Sequence, residues 1–154
     1  MGNRAVIVTK NQTTEINGKK IINPDAIGVY VHHNGGRDSI EGFLAYCDLK
    51  QYRPPSEDLS YGFARLIQII ANYFTSGLSV GVDLAARLDC DNWDNGVYII
   101  DGWEIVDRMY FNGEEQNHYS LREMLKEINL KQPMGSVQVT DWKIEEYLKD
   151  KHII

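Results

Sequence analysis

Cysteine is scarce: Cys47 and Cys90 are the only two in 154 residues. That is too few for a disulfide framework, and it suits a reducing compartment. No apolar run approaches the roughly 18 residues that a membrane span needs. Met1 to Lys10 lacks the charged-then-apolar pattern of a secretory signal, so the expectation is a soluble, cytoplasmic protein. There is no internal repeat, low-complexity tract or linker, which leaves residues 1–154 as a single globular domain. HExxH, GxSxG and paired CxxC are all missing, and with them three familiar routes to catalysis or metal binding. The leading expectation is therefore a protein with no cofactor, no metal and no catalytic activity. Basic residues are outnumbered, 16 against 22 acids, for a net charge of −6. Phosphate neutralisation by Lys and Arg supplies most non-specific affinity for nucleic acid, so direct binding of nucleic acid is not expected.

What is present is a core-forming chain, 43% hydrophobic and 25% charged. Arg4–Thr9 and Ile27–His33 read as strands. Asp38-Ser39-Ile40-Glu41 resembles a capping box, and Ile40, Phe43, Leu44 and Cys47 follow at helical spacing until Arg53-Pro54-Pro55. A second helix is expected from about Ser60 to Phe74, with a stripe of Phe63, Leu66, Ile67, Ile70 and Phe74. Ser76-Gly77 would stop it, and Leu78–Val82 would be a short strand. Val97–Ile100 and Trp103–Met109 flank Asp101-Gly102, a dipeptide suited to a type I′ hairpin turn. A third helix starts at Ser120, boxed with Glu123, and buries Leu121, Met124, Leu125 and Ile128. Pro133-Met134-Gly135 breaks it. A fourth begins near Thr140 with Ile144, Tyr147 and Leu148 on one side. Asn17-Gly18 marks a turn between polar flanks. This order predicts an α+β fold, with a mixed or antiparallel sheet of about four to five strands and about four helices.

Charge is unevenly spread. Between residues 83 and 107 lie Asp83, Asp89, Asp91, Asp94, Asp101, Glu104 and Asp107 against Arg87 alone, the whole net charge of the protein in one window. An EF-hand loop counted from Asp89 would need an oxygen ligand at its fifth position and Gly at its sixth; Trp93 and Asp94 stand there instead. The window reads as a looser calcium site, since calcium accepts carboxylates flexibly, as a solvated loop, or as a recognition patch for something basic. Trp93 lies inside it, either exposed as an anchor or folded back over the core. Glu104 and Asp107, an odd step apart, would point to opposite faces of an ideal strand, so only one of them would join a flat patch.

A second constellation is Asn34-Gly35-Gly36-Arg37-Asp38-Ser39, at a strand-to-helix junction. Adjacent glycines permit backbone angles other residues resist, and a helix N-terminus attracts anions. Six residues here resemble the Ser-Gly-Gly-x-Asp-Ser pyrophosphate loop of the ATP-pyrophosphatase family, with Asn34 in place of the first Ser. That resemblance implies nucleotide binding, by an enzyme or by a sponge for a nucleotide signal. Cys47 or Cys90 with His32, His33 or His118 would be needed for thiol catalysis. Nothing in their spacing demands it, and Cys47 falls on a core stripe.

The longer string runs Gly2-Asn3-Arg4-Ala5-Val6-Ile7, Gly28-Val29-Tyr30-Val31-His32, Asn34–Ser39, Asp94-Asn95-Gly96-Val97-Tyr98-Ile99 and Trp103-Glu104-Ile105-Val106. It resembles a family of small proteins from bacteriophages and mobile elements of Gram-positive bacteria. Some acidic phage proteins of this size are anti-CRISPR proteins. The resemblance implies a non-enzymatic inhibitor acting in the host bacterial cytoplasm. Its partner would be a basic nucleic-acid-handling protein such as a type II CRISPR effector nuclease, which holds nucleic acid in Lys/Arg-lined channels. Carboxylates at Asp89, Asp91, Asp94, Asp101 and Glu104 or Asp107, with Trp93, would then substitute for phosphates.

Overall fold

The computed structural model describes residues 2–75 and 79–153. Among these residues seven strands and four α-helices follow one another: β1 Ala5–Thr9, β2 Thr13–Ile16, β3 Lys19–Ile22, β4 Ile27–Val31, α1 Arg37–Leu49, α2 Leu59–Tyr73, β5 Val80–Leu84, β6 Val97–Asp101, β7 Glu104–Met109, α3 Leu121–Leu130 and α4 Asp141–Asp150. The main sheet has the order β5-β4-β1-β6-β7, and β2-β3 form a separate ribbon. β1 runs parallel to β6, and the remaining pairs are antiparallel. The fold is therefore α+β with a mixed sheet.

β1 is the centre of the sheet, and every one of its five residues is buried. A strand covered on both faces reads as a continuous apolar run, which is what Ala5-Val6-Ile7-Val8 is. Ala5 and Ile7 join Val29, Val31, Tyr98 and Ile100 under the four helices. Val6 and Val8 face the other way, with Val97, Ile99, Ala26 and Ala85. That second face is roofed by the β2–β3 ribbon and the segment after β5. No helix among the described residues is long and apolar enough to cross a membrane.

The expected stripe of α1 is buried throughout. The capping box of α3 forms as read, with Ser120 and Glu123 bonding each other's backbone, and Thr140 caps α4. Four readings are corrected. In α2 the fully buried positions are Leu66, Ile69 and Ile70, while Ile67 and Phe74 are only partly covered, a rotation of the face by part of a turn. In α1 the N-cap is Gly36, with no side-chain cap. Asp38 instead accepts the backbone N–H groups of His118 and Tyr119, and Glu41 is paired with Arg37. β4 ends at Val31, before His32 and His33. The β6–β7 turn uses Gly102 and Trp103 as its two loop residues, because Asp101 pairs with Glu104 and only Gly102 has positive φ. That is the glycine-first type II′ pattern. The doubly positive type I′ pair is Asn17 and Gly18, at φ 53° and 78°, which closes a ribbon whose strands the polar flanks had hidden. The expected stop at Ser76-Gly77 and the strand start at Leu78 lie outside the described residues.

Candidate functional site

Because β1 and β6 are parallel and β4 is antiparallel to both, the start of β1, the start of β6 and the end of β4 share one end of the sheet. The acidic loop before β6 and the glycine loop after β4, read separately in the sequence, therefore meet around Asn3 and Arg4.

The acidic loop is built from inside. Asn92 is fully buried. Its Nδ2 donates to the carbonyls of Asp89 and Gly96 at 2.9 and 3.2 Å, and its Oδ1 accepts the N–H groups of Asp94 and Gly96 at 3.0 Å each. Asn95 Nδ2 reaches Asn3 Oδ1 and the Arg4 carbonyl. Arg4 closes the loop from the strand side: its Nε lies 2.8 Å from Asp94 Oδ2 and its Nη1 3.1 Å from Asp89 Oδ2, and its backbone N–H bonds Asp94 as well. Gly96 has φ 66°, and a Cβ there would strike the Met109 carbonyl. Below the loop, the Arg108 guanidinium is stacked on Tyr98 and Phe111 at 4.0 and 3.8 Å and holds Glu115 and the Asn95 carbonyl.

This scaffold presents Trp93. Its side chain is not folded over the core; the residue is 81% exposed, and its backbone sits at φ 63°. A bulky residue in the left-handed region is strained and persists only where its surroundings over-determine it. Asp91 is exposed beside it.

The seven acids of the window do not make one field. Asp83 pairs with Arg87, Asp89 and Asp94 share Arg4, and Asp107 pairs with Lys20 of β3. Among the described residues, Asp91, Asp101 and Glu104 have no ion-pair partner. Asp91 lies in the loop that leads into β6 and Asp101 at the far end of that strand, which itself spans about 13 Å. Glu104 lines a recess with Leu44, Trp103 and Tyr147 on the helix side, whereas Asp107 faces Lys20 on the ribbon side. Desolvation pushes the Asp94 carboxyl up, but the bonds from Arg4 outweigh it and hold the group below its ordinary value. The Lys20 bond, with a backbone N–H from Arg108, does the same for Asp107.

The glycine loop is packed against its own chain. The positive φ belongs to Asn34, at 56°, and not to the glycines. Gly35 and Gly36 serve close approach: a Cβ on Gly35 would strike the Asn3 carbonyl, and one on Gly36 would strike the Gln116 amide. Tyr98 Oη donates to the Gly35 carbonyl at 2.7 Å, Asn34 Nδ2 to Ser39 Oγ at 3.1 Å, and Arg37 pairs with Glu41 and Glu115. The space above Gly36 is thus taken by Gln116, which itself bonds Asn3.

Burial pushes the Cys47 thiol far up, well away from any thiolate. Cys90 is half-buried, raised by burial and then by Asp89, and lies against the Ala85 carbonyl. His32 meets Tyr30 Oη at 2.7 Å and stacks edge-on against His33. No three His, Cys, Asp or Glu side chains converge as a metal site would require among the described residues. Arg4, Asn92, Asn95, Arg108 and Gln116 were not anticipated as site residues. Asn92 and Asn95 carried a faint signal, since short amides in turns bond their own backbone; the others become partners only through the fold. No known family, curated protein or solved structure matches this chain.

Proposed function

We propose that the protein is a non-catalytic inhibitor that binds a basic, nucleic-acid-handling protein through the Asp89–Asp94 loop, with Trp93 as its anchor and Asp91 as its free charge. A CRISPR effector nuclease of a host bacterium is the partner to which the phage-type resemblance leads. The observation that carries the reading is the exposed indole on a loop already locked by Asn92 and Arg4. A tryptophan in a pre-formed loop contributes large contact area and loses little entropy on binding, which is why such residues dominate interface energetics. The charge accounting narrows the mimicry of phosphates. Asp89 and Asp94 serve the loop's own architecture, so the surface acts as an anchored contact with a local negative rim, not as a broad row of charge. The glycine loop supports a nucleotide site less well, because its polar groups bond within the chain and Gln116 fills it.

The test is inhibition of a type II effector nuclease by purified variants. Trp93→Gly and Asp91→Lys are expected to weaken inhibition at least about tenfold each, a loss of about 1.4 kcal/mol or more. Glu146→Lys, on exposed α4 surface, is expected to inhibit like the wild type. Undiminished inhibition by both loop variants would refute the assignment of this loop.

A further inference from the structure

Four Asn-Gly dipeptides occur in the chain, at Asn17-Gly18, Asn34-Gly35, Asn95-Gly96 and Asn112-Gly113. An asparagine followed by glycine carries its own chemistry. The backbone nitrogen of the glycine, once deprotonated, attacks the asparagine Cγ. A C–N bond forms, the side-chain nitrogen leaves as ammonia, and a five-membered succinimide remains. Water then opens the ring at either carbonyl, giving aspartate or isoaspartate. Glycine favours the first step because it has no Cβ to crowd the nitrogen or restrict the backbone. In sequence the four dipeptides are equivalent; the fold separates them.

Two conditions govern the attack. The side-chain amide and the glycine N–H must both be free of other partners. The glycine nitrogen must also swing round the Cα–C bond until it eclipses Cβ, so that the ring can close. In the left-handed region ψ is about +30° to +60°, which sets that nitrogen almost opposite Cβ, and closure needs close to half a turn. From the helical or extended regions the rotation is nearer a quarter turn.

Asn95 fails the first condition. Its Nδ2 donates to Asn3 Oδ1 at 2.6 Å and to the Arg4 carbonyl at 3.0 Å, and the Gly96 N–H donates to Asn92 Oδ1 at 3.0 Å. Asn34 fails both. Its Nδ2 bonds Ser39 Oγ, the Gly35 N–H donates to the Asn3 carbonyl at 2.8 Å, and its φ is 56°. Asn17 fails the second: it is exposed, but it stands at φ 53° in the ribbon turn that the pairing of Ile16 with Lys19 closes. Asn112 meets both. It and Gly113 are exposed and belong to no helix or strand, and neither has positive φ. Among the described residues, neither the Asn112 side chain nor the Gly113 N–H has a hydrogen-bond partner.

We infer that Asn112 is a site of spontaneous modification, which converts to aspartate and isoaspartate in the native protein before the other three Asn-Gly pairs. Its place gives the change a consequence. A Cβ on Gly113 would lie 3.5 Å from the Asp94 carbonyl, so the product stands beside the Asp89–Asp94 loop. Either product adds one negative charge there, and isoaspartate also lengthens the backbone by one carbon. The chemistry is the same whatever that loop binds.

The test follows the intact protein in mildly alkaline buffer over days, beside the same protein in urea. Samples are digested at acidic pH, where succinimide formation is slow, and the four peptides are weighed for replacement of NH2 by OH. An isoaspartyl methyltransferase reports the isoaspartate. Native Asn112 is expected to convert within about tenfold of its rate in urea, whereas Asn34 and Asn95, which must wait for the structure to open, slow at least about a hundredfold. Asn17 is expected to fall between them. Gly113→Ala adds a Cβ where the contacts are ordinary and φ is unstrained. It is expected to slow Asn112 at least about tenfold and to leave the thermal midpoint near that of the wild type. Native Asn112 that survives as long as Asn34 and Asn95 overturns the assignment. So does conversion of Asn34 or Asn95 at the Asn112 rate, an unchanged rate in Gly113→Ala, or a product free of isoaspartate, because the succinimide opens both ways.

Discussion

At Trp93 conformation and exposure both work against stability, as they do to a lesser extent at Tyr110. A large side chain held at φ 63° and left in water gives the folded protein little. Trp93→Gly relieves left-handed strain of about 1–2 kcal/mol, which offsets the freedom that glycine adds to the unfolded chain. The expected outcome in thermal denaturation is a midpoint equal to or above that of the wild type, even as partner binding falls. A clear drop in the midpoint would mean that the indole is a structural element. Arg4 works in the opposite sense. Asp94 and Asp107 are both held below their ordinary carboxylate range, Asp94 by Arg4 against desolvation and Asp107 by Lys20. The unfolded state then binds more protons than the folded one, so the stability from these groups is present above the unfolded value near 3.9 and is lost as pH falls below it. Urea midpoints measured from about pH 5 to pH 2 are expected to fall for the wild type. Arg4→Met should show a shallower fall, because the Asp94 part is gone. The thiols differ as well. Cys47 is fully buried, while Cys90 lines a surface groove. Native protein is expected to titrate one thiol with an alkylating reagent and denatured protein both.

At the scale of elements, the helices were legible because capping and periodicity are local. Ser120 with Glu123, and Thr140, are caps that a sequence displays directly. The ribbon was not legible, because Thr13–Ile16 and Lys19–Ile22 are half polar and one face of them is solvated; only its Asn17-Gly18 turn showed. The glycine loop was located correctly but its glycines were read for the wrong reason. Their absent side chains make room for Asn3 and Gln116, partners from remote parts of the chain that no local pattern reveals. Gly36→Ala should therefore destabilise by about 1–3 kcal/mol through overpacking. Combined with Gln116→Ala the losses should be less than additive, with a coupling of about 0.5 kcal/mol or more. Strict additivity in urea denaturation would show that Gln116 is not what Gly36 accommodates. Turn glycines give a second comparison. Gly102 has φ 60° with nothing near its missing Cβ, whereas Gly96 has φ 66° with the Met109 carbonyl in the way. Gly102→Ala is expected to cost about 1 kcal/mol from the backbone alone, and Gly96→Ala clearly more.

For the molecule as a whole, folding reduces the clustering of charge visible in the sequence. Arg4 and Lys20, both remote in sequence from the 83–107 window, come back to pair with Asp89, Asp94 and Asp107, which takes the window from −6 to −4. Net charge was read correctly, but the number of available carboxylates was not, because ion pairing is a tertiary property. Partner binding that depends chiefly on Asp91 and Trp93 should then weaken only modestly between low and physiological salt, since Asp91 is the one carboxylate this contact would leave to be screened. Inhibition measured over a salt series, with a loss of several hundredfold, would point to many more charge contacts than this surface offers. The position of β1 has a further consequence, in time. Val6 pairs with Tyr30 on one side and with Val97 on the other, 24 and 91 positions along the chain. During synthesis the most apolar strand of the protein emerges first, yet its parallel partner is made much later. One long edge of it stays unpaired over that interval, as a template for unwanted association. The closure of so distant a pair also slows refolding relative to a helical bundle of equal length. A nascent chain halted before Val97 is thus the form of this protein most in need of a chaperone.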